Sequence, residues 1–599
     1  MSKTAPKIKI DYERDNLLSE QGKKLMHSFY MLPSEKSPQE AFARAAESYC
    51  MGDYDFAQRI YDYASKLWFM FASPVLSNAP EDRKTWKSMP ISCFLQYVPD
   101  NINGQMDAFL EMAALSVSGG GVGSHNGIRA ISEKAPGPIP YMKTLDSGIG
   151  YYRQGSTRRG SLAYYMDIDH PDIVEHIKFR IPTGGDVTRK ADNRKNFHNA
   201  VNITNEFTDA VLNDENFDLK CPHSGEVRET IKARDLWEMI LETRVLTGEP
   251  YLHFIDVARN AMPQTQKDFG LTINGSNLCS EIELPTSEER TAVCALSSIN
   301  AEKEDEWKDT NMIADLVRLI DNVIQIFIDN APDTLSKAVY SASRERSIGL
   351  GVMGFHGHLM KNMIPFESGG FGSAVQANHK LFRMIKDQAV RASQQLAIER
   401  GEAPDMEGTG MRNAHLLAIA PNSNSSAICN CTPSIEPIKN NAYVHTTRAG
   451  TFLVKNPYLD KYIKSLNLDE AIEKALWKQI VDDDGSIQNV SDDILSQDAK
   501  KVFKTANEID QHWLVQHGED RAQYICQGQS LNLFFPSNSD RAYVNSVYLK
   551  AMRGKKLKAL YYHRTENKQQ ADTVKDVSRQ ALQDWKDDGD ESVCIACEG

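Results

Sequence analysis

Cysteine is scarce in this chain, and the scarcity sorts the function classes. Ten cysteines in 599 residues are too few for a secreted disulfide scaffold, which packs them densely into short domains. An excess of basic charge is missing too: 68 Lys and Arg stand against 81 Asp and Glu, a formal net charge of -13. So acidic a chain has no general hold on a nucleic-acid backbone, although a local pocket of donors still suits a single nucleotide. The start, Met1-Ser2-Lys3-Thr4, runs into the charged Asp11–Asp15 stretch without an apolar core, so no secretory signal is read. The most apolar long segment, Met312–Ile328, is broken by Asp315, Arg318, Asp321 and Asn322, which makes it a buried or amphipathic helix and not a membrane span. A soluble, cytoplasmic protein is expected.

What is present is an ordinary globular composition, 41% hydrophobic and 25% charged, able to fill a large core. The first seventy or so residues read as helices. Ser37-Pro38-Gln39-Glu40 has the pattern of a capping box with Pro at the first helical position. Phe42, Ala45, Ala46 and Tyr49 follow at helical spacing, and Phe56, Ile60, Ala64 and Leu67 repeat it. From about Ser73 onward, short apolar runs (Ser92–Val98, Ala200–Ile203, Tyr251–Ile255, Ile348–Met353) alternate with amphipathic helices (Asp235–Leu246, Met312–Ile328, Asn378–Arg400). That alternation predicts one large α/β domain with its chemistry on the loops. From Thr565 the chain turns polar, and a flexible tail over 565–599 is expected.

The stretch Asn277-Leu278-Cys279-Ser280-Glu281 sets an amide, a thiol and a carboxylate at alternate positions. In an extended strand or strand tip these three share one face and can address one small ligand. Alone the pattern is weak, because a strand cysteine is commonly a small buried hydrophobe. Two close cysteine pairs exist, Cys429-x-Cys431 and Cys594-x-x-Cys597. A zinc site built from both is disfavoured by the single spacer of the first and the terminal position of the second. A dithiol on a polar tail suits a shuttle that meets an external reductant and then exchanges with a buried disulfide. Gly119-Gly120-Gly121-Val122-Gly123 has no Lys after it and is no phosphate loop of the Lys-Ser/Thr kind; its glycines point to close backbone approach.

Taken in order, Ser92-Cys93, Asn277 to Thr286, Ala292-Val293-Cys294-Ala295-Leu296-Ser297, Pro421 to Ser426, Leu560-Tyr561-Tyr562 and Cys594-Ile595-Ala596-Cys597 resemble the large, catalytic subunit of class I ribonucleotide reductases, from about Asp11 to Gly599. The resemblance implies a helical region over 1–72, a ten-stranded α/β barrel over 73–564 with Cys279 on a loop tip inside it, and a redox-active tail. It also implies that Cys279 carries a thiyl radical that removes the 3′ hydrogen of a ribonucleotide. Glu281 takes the 3′-hydroxyl proton, Asn277 holds the sugar, and Cys93 with Cys294 supplies two electrons. Cys594 and Cys597 then restore that dithiol, drawing on thioredoxin or glutaredoxin.

By the same resemblance, Ser423, Asn424, Ser425 and Ser426 bind the substrate diphosphate with help from Ser73 and Ser92. Asp100, Ser116, Arg129 and Arg158 belong to an allosteric site for ATP, dATP, dTTP or dGTP, and Gln154–Gly160 relays effector identity. Tyr561-Tyr562 implies radical transfer from a separate small subunit that holds the metal, so none is expected in this chain. A homodimer is implied. The residues before Cys93 are too few for the N-terminal ATP-sensing module of many relatives, so inhibition by dATP through such a module is not expected. The rival is an adenosylcobalamin-dependent relative; a non-catalytic nucleotide-binding or zinc-stabilised protein is more remote. Diphosphates are the favoured substrates, with triphosphates left open.

Overall fold

The structure is a computed structural model that describes residues 7–82, 85–86, 88–152, 161–181, 197–447 and 450–566. The N-terminal helices form where the periodicity places them: α1 spans Pro38–Ser48 and α2 Tyr54–Ser65. Ser37 caps α1, its hydroxyl accepting from the Gln39 amide at 3.1 Å. The reciprocal half of the expected capping box is displaced, for Glu40 Oε2 accepts from the Lys36 amide at 2.8 Å, one residue before the cap. Phe42, Ala45, Ala46 and Tyr49 are all fully buried. Leu67, expected inside the second helix, is buried just beyond it with φ of 60°.

A nine-stranded sheet carries the rest. Its strands are β1 (Phe69–Phe71), β2 (Cys93–Val98), β3 (Gly121–Asn126), β4 (Leu162–Asp167), β5 (Phe197–Ile203), β6 (Tyr251–Phe254), β7 (Ala292–Asn300), β8 (Ile348–Met353) and β9 (Ala559–Leu560). Strands β2 to β6 run parallel in sequence order. Strand β7 turns back antiparallel on β1 and β2 and carries β8 in parallel. The parallel strands are buried on both faces, as the connecting helices require.

Backbone hydrogen bonds continue beyond β8. The amide of Leu350 donates to Leu416 O at 2.8 Å, that of Ile419 to Gly528 O at 3.1 Å, and that of Tyr561 to Leu531 O at 2.9 Å. Strand β9 then pairs antiparallel with β6. The sheet is therefore strongly curled, with an inner face lined by side chains from distant segments.

Helix α3 (Ile102–Val117) follows β2, α4 (Pro138–Tyr151) precedes β4, and α5 (Met312–Asn330) packs across β7 and β8. The polar interruptions of α5 are neutralised by ion pairs. Asp315 meets Arg59 at 2.8 Å, and Asp321 meets Arg346 at 2.8 Å and Arg400 at 2.9 Å. Among the described residues no helix is long and apolar enough to cross a membrane.

Candidate active site

The five residues around Cys279 do not continue as an extended strand, one of the two settings that their alternation allows. They make a turn in which Ser280 takes a left-handed φ of 61° and its amide donates to Asn277 O at 3.3 Å. The cause lies in Asn277, whose side-chain oxygen accepts from the amides of Glu281 (3.0 Å) and Ile282 (3.1 Å). An Asn that bonds its own downstream backbone stabilises a turn over a strand. Tyr165 clamps the turn from β4: its hydroxyl donates to Asn277 O at 2.7 Å and lies 2.9 Å from Ser280 Oγ. Ser530 Oγ donates to Cys279 O at 2.6 Å and lies 3.1 Å from Glu281 Oε2.

The glycine run explains how this turn reaches the sheet. A Cβ on Gly123 would sit 1.9 Å from Ser276 O and 2.8 Å from Asn277 Cα. The glycine is required because two backbones touch there, not to cradle phosphate.

Cys93 and Cys294 are direct partners across the antiparallel β2–β7 ladder. Opposed residues in such a ladder have Cα atoms about 4.5–5.5 Å apart, within the range a disulfide spans. Both thiols are free and buried. Burial first, then the negative charges of Glu281 and the opposite thiol, pushes Cys93 well above the ordinary thiol range. Cys294 is also raised, chiefly by burial, against a hydrogen bond from Gln527 Nε2 at 3.4 Å. Each therefore keeps its proton at neutral pH.

Glu281 is 1% exposed. Burial lifts it to about 7, opposed by hydrogen bonds from Asn277, its own backbone and Ser530. A carboxyl poised there is suited to exchange protons at working pH. The buried Asn277 amide nitrogen is the donor that faces Cys93 and Glu281 and favours their charged forms.

Cys279 belongs to a different inner cluster, packed with Tyr165, Tyr251, Leu278, Tyr561 and Tyr562. The rings of Tyr561 and Tyr562 are 4.3 Å apart, and Tyr251 lies 4.7 Å from the first and 5.0 Å from the second. Nothing in its local sequence singled out Tyr251. Tyr165, Ser530 and Gln527 were likewise missed, because their roles depend on segments far apart in the chain.

Ser423, Asn424, Ser425 and Ser426 open a short helix, Ser423–Cys429. A pocket beside it is lined by Asn422, Ser423, Lys439, Asn532, Tyr562 and Arg564, so two cations stand near the serines. Ser73 starts another short helix and its hydroxyl lies 2.8 Å from Tyr30 OH. Ser92 Oγ lies 3.9 Å from Cys93 Sγ.

At the expected effector site, Asp100 and Arg129 are brought together as an ion pair at 2.7 Å, with His223 3.3 Å from the same carboxylate. Ser116 is buried and donates to Tyr152 O. Arg158 with the 154–160 segment, and Cys594 with Cys597, lie outside the described residues. Among the described residues no cluster of three or more His, Cys, Asp or Glu is arranged to hold a metal.

A family model described as "Ribonucleotide reductase, barrel domain" matches residues 91–409 and 405–563. The chain belongs to the ribonucleotide reductase family. A second model, "Ribonucleotide reductase, all-alpha domain", matches residues 16–84. A protein of Frog virus 3 (isolate Goorha) is 48% identical over 88% of this chain and 90% of its own length. The ribonucleoside-diphosphate reductase large subunit of Invertebrate iridescent virus 3 is 39% identical over 99% of this chain and 100% of its own. The class Id ribonucleotide reductase alpha subunit of Actinobacillus ureae superposes with a TM-score of 0.80 at 31% identity, covering 93% of this chain and 98% of that one. The chain is thus an oxidoreductase of the class I ribonucleotide reductase large-subunit type, working by thiyl-radical chemistry with a partner radical-generating subunit.

Proposed function

We propose that this large subunit reduces ribonucleoside diphosphates to 2′-deoxyribonucleoside diphosphates at the meeting point of the Cys279 turn and the Cys93–Cys294 ladder. The observation that carries the residue assignment is that Glu281, buried and lifted to about 7, acts electrostatically on both ladder thiols. Cys279, oxidised to its thiyl form through Tyr562 and Tyr561, takes the 3′ hydrogen: an S–H bond forms and the C3′–H bond breaks. Glu281 accepts the 3′-hydroxyl proton. The 2′-hydroxyl leaves as water with a proton from the dithiol, which becomes a disulfide as its two electrons reduce the sugar. The second dithiol hydrogen goes to C2′, Glu281 returns its proton to the 3′ oxygen, and Cys279 returns hydrogen to C3′ and regains its radical. The net change is one ribonucleotide and two thiols converted to one deoxyribonucleotide, one disulfide and water. Cys594 and Cys597 restore the ladder thiols by exchange, drawing on thioredoxin or glutaredoxin.

The pocket beside Ser423, with Lys439 and Arg564, supports diphosphate binding at Ser423–Ser426, and Ser73 and Ser92 assist as the resemblance implies. Nucleoside triphosphate effectors take the Asp100, Ser116 and Arg129 site. The exposed apolar stripe of α3, where Ile102, Met106, Leu110 and Val117 are 76%, 60%, 63% and 52% exposed, supports a homodimer in which a second copy covers it. The chain of hydrogen bonds from β8 through residues 416–419, 528–531 and 561 to β9 and β6 supports closure of the sheet as a ten-stranded barrel.

The test is an assay with a radical-generating small subunit, a dithiol reductant and each ribonucleotide form. Cys279→Ser is expected to abolish turnover while nucleotide binding persists. Turnover by Cys279→Ser, or turnover of the native chain with adenosylcobalamin and no second protein, would overturn the reading.

A further inference from the structure

Tyr562 abuts a buried polar network that the redox steps above leave unused. Its hydroxyl lies 3.3 Å from Nδ1 of His198, and the same nitrogen is 2.6 Å from Oε1 of Glu249. Arg180 Nη1 is 3.1 Å from that carboxylate oxygen and 3.0 Å from the same Nδ1, while the Asn199 amide donates to the other carboxylate oxygen at 3.1 Å. His198 and Glu249 are 7% and 1% exposed. Burial raises Glu249, but Arg180 and His198 more than offset it and hold the group below the usual carboxylate range. Glu249 is therefore an anion, and at 2.6 Å the hydrogen between it and His198 resides on Nδ1.

A tyrosine that gives up an electron must also give up its phenolic proton. A general base within hydrogen-bond reach of the hydroxyl is the geometry that such a step needs. We propose that the His198–Glu249 pair is the proton acceptor for Tyr562 during radical transfer. The Nδ1–H bond of His198 breaks as its proton forms an O–H bond at Oε1 of Glu249, and the freed Nδ1 takes the proton of Tyr562 as that phenolic O–H bond breaks. The electron goes to the one-electron oxidant of the small subunit, and return of the electron reverses each transfer. The inference rests on reading Tyr561 and Tyr562 as the radical relay, and it adds to that relay a path for protons.

The neighbouring groups fit this role. The Arg180 cation keeps Glu249 unprotonated between turnovers, so the acceptor stays open. Arg564 lies 4.2 Å over the Tyr562 ring and, as a cation, also favours proton loss. Tyr251 stacks on His198 at 5.9 Å, and Asp146 acts electrostatically on Arg180. His198 stands on β5, whereas Glu249 lies two residues before β6.

The experiment uses the complete two-subunit enzyme. His198→Gln and Glu249→Gln are each expected to lower kcat by about 10²-fold, leaving nucleotide KM and small-subunit affinity unchanged. Replacing Tyr562 by a polyfluorinated tyrosine already ionised at assay pH should rescue both variants, since no proton then needs an acceptor. In the native background the same replacement should remove the solvent deuterium isotope effect on radical transfer. That measurement stands even if a variant folds poorly. Native turnover and an unchanged pH profile in both variants, absence of rescue, or persistence of the isotope effect would each overturn the proposal. The relay reading fails separately: it is lost if Tyr562→Phe turns over normally.

Discussion

The two halves of the site are held in place by different means. Cys93 and Cys294 face each other because β2 and β7 pair in register, so the backbone ladder alone aligns them. Cys279 has no such ladder. Its turn is held by side chains, with Asn277 bonding forward, Tyr165 clamping from β4 and Ser530 reaching in from a distant segment. The dithiol must meet a partner thiol at one fixed separation, which a ladder supplies cheaply in sequence. The radical thiol must project inward from a chain reversal, and a reversal inside a dry sheet needs every polar backbone group satisfied. The ladder half should therefore tolerate local change better than the turn half.

The largest effect is expected at Glu281→Gln in the turn half: kcat should fall by about 10²- to 10⁴-fold. The native rate should rise with pH as the carboxyl ionises near 7, and the variant should lack that limb. Stability gives an independent check. Folding raises the affinity of this carboxyl for its proton, so its favourable contribution is complete below the ordinary value of 4.5 and is lost as pH climbs to about 7. Denaturant titrations should show the native protein losing, between those pH values, on the order of 3 kcal/mol that the variant keeps. Parallel pH curves for the two would refute the assignment.

Gly123→Ala comes next. Its new Cβ would meet backbone at 1.9 Å, so β3 and the turn must separate, at a cost of about 1–3 kcal/mol and about 10²-fold in turnover. Tyr165→Phe should cost less, about 1 kcal/mol for the lost hydrogen bond to Asn277 O, with turnover reduced by about an order of magnitude. Gly349→Ala, on the ladder side, should be the mildest. Its Cβ would lie 2.3 Å from Leu296 Cδ2, the far end of a flexible side chain, and 3.1 Å from Cys294 Sγ. Thermal melts and turnover should place it nearest the native protein, with Cys93 and Cys294 still able to form their disulfide. If it proved as damaging as Gly123→Ala, the contrast between ladder and turn would be wrong.

Helices were the most legible part of the fold. The spacing of Phe42, Ala45 and Ala46 located α1 because apolar residues at helical period mark a packed face, although α1 is buried along nearly its whole length. Strands β2, β5, β6 and β8 were found as apolar runs, while β7 went unread as a strand although its cysteine was noticed. Alternation alone left the Cys279 stretch open between a strand and a strand tip, and only the Asn277 side chain reveals that the chain reverses. Gly123 was read correctly as a close approach, but the backbone it approaches, at Ser276, belongs to a loop that sequence order does not place beside it. His198 and Glu249 carried no local signal, since a lone His or Glu in a strand-rich region is ordinary.

By itself, then, the order of residues determined which chemical groups were available: three thiols at 93, 279 and 294, a carboxylate at 281 and paired phenols at 561 and 562. It also determined an acidic chain with amphipathic helices and apolar strands around a large core. Tertiary structure alone decided which groups meet and in what state. The β2–β7 register makes two distant cysteines a dithiol, and burial brings Glu281 to about 7. Packing gathers Tyr251, Tyr561 and Tyr562 around Cys279. The physical reason is that a group's reactivity depends on its desolvation and its neighbours, and both are properties of the folded interior that residue order does not express.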